Sequence, residues 1–99
     1  MAAPRGATST VSGLDYVQIA AAGGAVKARS GFLGMVTVVT AISAGAITIY
    51  DNPSAASGTI LYQSAATPAA GFTVQIGIRA KFGIFVAPFT GGPINVTFE

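Results

Sequence analysis

The chain contains no cysteine, no histidine and no tryptophan, and its only side-chain carboxylates are Asp15, Asp51 and Glu99. Without cysteine there is neither a disulfide nor a thiolate nucleophile. Without histidine, the commonest general acid–base group and zinc ligand are missing. Three scattered acids supply neither the carboxylate pair of a glycoside hydrolase nor the oxygen cage of a cation site. This inventory predicts no enzyme, no cofactor and no metal. Asp51 with Asn52 opens as a calcium loop would, but further ligands do not follow, and a turn is the expected reading.

Charge is also scarce. Asp, Glu, Lys and Arg make up 8% of the 99 residues, against about 25% in ordinary soluble domains. Five cations and a net charge of +2 are too few for the basic footprint of a nucleic-acid binder. Hydrophobic residues reach 52%, so the surface cannot be dressed in charge as that of a soluble monomer is. A chain this short buries barely enough apolar area to offset the entropy of ordering it, and such domains need a disulfide, a metal or a partner subunit. Only the last remains. The composition predicts a homo-oligomer, a subunit whose faces are largely covered.

One mostly apolar run without charge, residues 30 to 50, is long enough to cross a bilayer as a helix. Gly31, Gly34 and Gly45 interrupt it, β-branched residues dominate it, and 46 to 50 alternate apolar with polar at period two. No membrane span is expected. The first ten residues hold no apolar core of signal-peptide length, and the lack of cysteine fits a cytosolic or virion protein.

What is abundant is strand-forming. Val, Ile, Thr, Phe and Tyr total 37 residues, while Leu, Met, Glu, Lys, Gln and Arg total 14. Thirteen glycines and five prolines punctuate them. Residues 1–13, small and polar, read as a flexible arm, and 14–99 as one domain. Strands are expected at 14–20, 25–29, 32–40, 46–50, 59–63, 71–78, 82–87 and 94–99. Turns are expected at 41–45, 51–58, 64–70, 79–81 and 88–93. Eight short strands without a helix predict an all-β, compact antiparallel β-sandwich of jelly-roll type.

The run ITIYDNPSAASGTILYQ, with GFLGMVTVVT before it and KFGIFVAPFTGGPINVTFE after it, resembles small structural proteins that decorate or cement the capsids of tailed bacteriophages. The resemblance covers about residues 26–99. It implies a β-sandwich, commonly trimeric, on the outer capsid surface of the virion, bridging major capsid protein subunits and stabilising the head without catalysis. A tail or fibre adaptor, or a receptor-binding module for carbohydrate, is the alternative it leaves open.

Several residues are candidates for contact with such partners. Lys27 and Arg29 lie two apart, so a strand would place them on one face, and Arg79 with Lys81 repeats the spacing. Such pairs suit docking on an acidic surface or the protection of an open sheet edge. Phe85 and Phe89 break the inward parity of their neighbours, and Phe85 shares the odd positions with Lys81 and Gly83. Both are candidates for a subunit interface or for an extra core layer. Arg5 is the one charge in the arm, which is read either as wrapping a neighbour or as plain disorder. Tyr16, Tyr50 and Tyr62 would form a sugar-stacking platform if they met on one face.

Overall fold

A computed structural model describes residues 15–99. Among them ten strands and no helix occur. They are β1 (Asp15–Ile19), β2 (Gly24–Lys27), β3 (Gly31–Val38), β4 (Ile42–Ala44), β5 (Thr48–Tyr50), β6 (Ile60–Gln63), β7 (Thr73–Ala80), β8 (Ile84–Val86), β9 (Thr90–Gly91) and β10 (Ile94–Phe98). Two four-stranded antiparallel sheets form, in the orders β1-β10-β3-β7 and β2-β8-β5-β6, with β4 and β9 as a separate two-stranded ribbon. Setting the ribbon aside, eight strands pair first with last, second with seventh, third with sixth and fourth with fifth. That is a jelly roll, a long antiparallel hairpin rolled into two facing sheets.

Alternation builds the core. Val96 and Ile94 on β10, Val36 and Val38 on β3, Ile49 on β5, and Ile84 and Val86 on β8 are all fully buried. No polar or charged residue is buried among the described ones, so the core carries no polar desolvation debt. Strand β3 changes face midway. Gly31 and Leu33 are buried before Gly34, and Val36 and Val38 after it. The change comes from a bulge, because two residues of β10 span three of β3. Thr97 stitches it. Its Oγ1 accepts the Met35 N–H at 2.7 Å and its hydroxyl donates to the Met35 carbonyl at 3.3 Å. On the other side of β3, β7 inserts a further residue around Gly77, whose φ of 65° favours glycine.

The expected strands all occur, with ends displaced by at most two residues, and two expected turns do not. The 41–45 and 88–93 segments each carry a short strand, and those strands pair with each other. Gly91 is the reason. Its φ is 108°, and a Cβ there would lie 2.5 Å from the Ala41 carbonyl oxygen, so only glycine lets the two backbones approach this closely. The break expected at 79–81 lies later, because β7 runs through Ala80. The uncharged 30–50 run is divided among β3, β4 and β5, which lie in three different sheets. No helix among the described residues is long and apolar enough to cross a membrane. The 1–13 arm lies outside the described residues.

Candidate functional site

The jelly roll presents four unlike surfaces. One row across the outer face of the β1-β10-β3-β7 sheet is polar. Gln18 and Asn95 are paired across β1 and β10 and joined by a 3.2 Å hydrogen bond, and Thr37 and Thr73 continue the row. The outer face of the other sheet is apolar at the same level. Ala25, Phe85, Tyr50 and Ile60 stand opposite one another across β2, β8, β5 and β6, and Ile60 is 47% exposed.

The two sides of the sandwich also differ. On one side the edge strands are β1 and β2. An open cleft of about 370 Å³ lies there, lined by Asp15, Lys27, Ala28, Arg29 and Phe98. On the other side the edge strands are β6 and β7, which touch across the gap between the sheets. Their inward side chains, Leu61, Tyr62, Val74 and Ile76, are only half-buried. Burial pushes the Tyr62 hydroxyl pKa up from its usual value, as expected for a phenol turned toward apolar neighbours.

The candidate residues separate. Lys27 and Arg29 do meet, although not through strand pleat, since β2 ends at Lys27. It is the cleft that gathers them. Arg79 lies on β7 opposite Phe32, whereas Lys81 follows the end of that strand, so the two share no strand face. Phe85 points away from the core, as its parity implies, into the apolar row. Phe89 does not. It is 9% exposed and belongs to the core, its backbone N–H tied to the Ala21 carbonyl at 2.8 Å. The extra core layer is the reading that fits Phe89. Arg5 lies outside the described residues. The three tyrosines do not form a platform. Tyr16 is 73% exposed on the outer face of the β1-β10-β3-β7 sheet, Tyr50 stands on the opposite outer face, and Tyr62 turns inward opposite Ile49.

Asp51 has a role that its place in a turn did not announce. Its carboxylate accepts three backbone N–H groups from the β7–β8 turn, Phe82 at 2.8 Å, Lys81 at 3.1 Å and Gly83 at 3.3 Å. Burial works to raise its pKa, but these donors and the Lys81 charge outweigh it and hold the carboxyl below the usual range. Asn52 beside it accepts the N–H groups of Ser54 and Ala55, each at 2.9 Å. These groups brace loops, and three backbone N–H donors already occupy most of the acceptor positions of the Asp51 carboxylate. Among the described residues no three potential metal ligands cluster.

Compared with protein-family models, with curated proteins and with solved structures, the chain matches none.

Proposed function

We propose that this protein is a non-enzymatic structural subunit that works by being covered. In this reading it decorates the outer surface of a tailed-phage capsid, binding major capsid protein and bridging its subunits. The observation that carries the reading is the apolar row Ala25, Phe85, Tyr50 and Ile60, on a domain with 8% charged residues. An aromatic centre flanked by aliphatic side chains on a flat sheet face is the composition of an interface core, and such anchors carry most of the binding energy. Jelly rolls occur among viral capsid domains and among lectins alike, so the fold is compatible with the role and the surface argues for it.

Mechanically, each bound copy adds its binding free energy to the assembled shell, since it binds that state and not the separated subunits. The Lys27–Arg29 cleft would orient the approach to an acidic surface, and its contribution would weaken with salt. Against the carbohydrate-binding alternative, the three tyrosines lie on different faces and only Tyr16 among them is exposed.

The test is to add purified protein to emptied phage heads and measure retention by sedimentation and head stability by calorimetry. Retention that raises the melting temperature of the shell, and is lost in Phe85→Ser, supports the role. Heads that neither retain the protein nor gain stability refute it.

A further inference from the structure

We propose that the β6–β7 side of the sandwich is a contact between copies of this chain, made in antiparallel two-fold fashion about Ile76. Three observations converge on that side. The first is incomplete burial. On β3, Leu33 and Val36 are fully covered, but their partners on β7 are not: Ile78 is 39% exposed and Val74 only half-buried. Phe72, just before β7, is 38% exposed and Ile60, which begins β6, 47%. The core therefore opens along this side, with apolar atoms facing water.

The second is the distribution of charge. A free strand edge invites pairing with another chain, and edges that stay free are defended by charges. The β1–β2 side has Asp15, Lys27 and Arg29. Strand β6 has no charge at all, and β7 has none before Arg79. One side is defended and the other is left undefended, as expected of a surface that is covered.

The third observation selects a second copy as the occupant. Apart from the fully buried Ala80, the apolar residues of β7 are Val74, Ile76 and Ile78, with an aliphatic side chain two positions to either side of Ile76. Opposed antiparallel about Ile76, two copies set Val74 against Ile78, Ile76 against itself, and Arg79 beside Thr73 of the second copy. Every apolar side chain meets another, and no like charges face each other. Eight residues of strand extend about 26 Å. The shortest extent of the molecule is 18 Å, so each copy contributes a footprint of about 470 Å². The pair comes to about 940 Å², the size of a small, reversible interface. The bulge at Gly77 bends the free edge, so the contact is chiefly side chain on side chain and not one continued ladder.

This inference deepens the structural role by naming one partner, and it can fail separately. Light scattering after size exclusion should give the full chain a mass of twice 9.8 kDa. Ile78→Lys and Ile60→Lys, both at exposed positions, should halve that mass with an unchanged far-ultraviolet circular dichroism spectrum. Tyr16→Lys, on the opposite edge, should leave it at the dimer value. Should the lysine variants misfold, Ile76→Cys provides a second route. The chain has no other cysteine, so mild oxidation should link two copies through that one position, and Tyr16→Cys should not link them. A monomeric or three-fold mass for the natural chain, dissociation by Tyr16→Lys alone, or a folded Ile76→Cys that does not cross-link would overturn the proposal. Retention on phage heads by a monomer would refute only the dimer. A dimer that heads ignore would refute only the decorating role.

Discussion

Replacing Asp51 with asparagine exchanges one oxygen for an NH₂ group and removes one charge, while side-chain volume hardly changes. Both carboxylate oxygens are engaged: Oδ1 accepts the Phe82 and Gly83 N–H groups and Oδ2 accepts that of Lys81. An asparagine offers a single acceptor, so whichever way it turns, its NH₂ faces a backbone donor. A hydrogen bond to an ionised group contributes about 1.5–3 kcal/mol when well buried. Asp51 is half-buried, and solvent screening reduces that figure, so Asp51→Asn should cost about 1–2 kcal/mol at pH 7. For a domain of this size the melting temperature should fall by about 5–10 °C.

The sign of the pH dependence follows from the depressed pKa. The folded carboxyl titrates below its unfolded value of about 4, so its stabilisation is fully present above that value. It disappears as pH falls through the folded pKa. Chemical denaturation at equal protein concentration, at pH 7 and near pH 2.5, checks this. The advantage of the natural chain over the variant should be smaller at the lower pH. An equal difference at both pH values would show that the carboxylate charge does not brace the turn, and a difference below about 0.5 kcal/mol at pH 7 would remove the role altogether.

Other substitutions probe separate links. Gly83→Ala would bring its Cβ to 2.6 Å from the Pro53 Cα and 2.8 Å from the Asn52 and Lys27 carbonyl oxygens; backbone on all sides leaves no flexible neighbour to move, so about 1–3 kcal/mol should be lost in a urea titration. Leu33→Ala empties a fully buried site and should cost about 3–5 kcal/mol, enough to leave the variant largely unfolded in a thermal melt. Thr97→Val keeps the shape but orphans the Met35 N–H at the β3 bulge, and should cost about 1–2 kcal/mol with faster amide exchange at Met35. The double change Lys27→Ala with Arg29→Ala should leave the urea midpoint nearly unchanged, because surface charges contribute little, while reducing both retention on phage heads and its salt dependence; unaltered retention would remove the cleft from the docking surface.

Much of the jelly roll is legible in the chain. Ile94, Val96 and Phe98 alternate with Asn95 and Thr97, and Val74, Ile76 and Ile78 with Gln75 and Gly77, because a pleated strand sends successive side chains to opposite faces. The outward direction of Phe85 follows from the same parity. Phe89 escaped it because it lies between β8 and β9, outside any strand, where period two has no meaning. Lys81 escaped for a similar reason, the strand ending one residue before it. Ile60 gave no local sign of exposure. It looks like any core isoleucine until β6 is known to be an edge.

Strand content, the facing of most side chains, the scarcity of charge and the absence of cysteine and histidine are properties of residue type and local spacing, and so can be read along the chain. The folded arrangement alone shows which strands lie at the edges, that the segments at 42–44 and 90–91 pair, that β3 changes face at its bulge, and that Asp51 reaches a turn thirty residues away. Those outcomes depend on backbone N–H and carbonyl groups, which are nearly the same in every residue. Local sequence therefore does not name their partners. Partner choice is settled by how the whole chain packs, and with it which apolar side chains are left uncovered for another molecule.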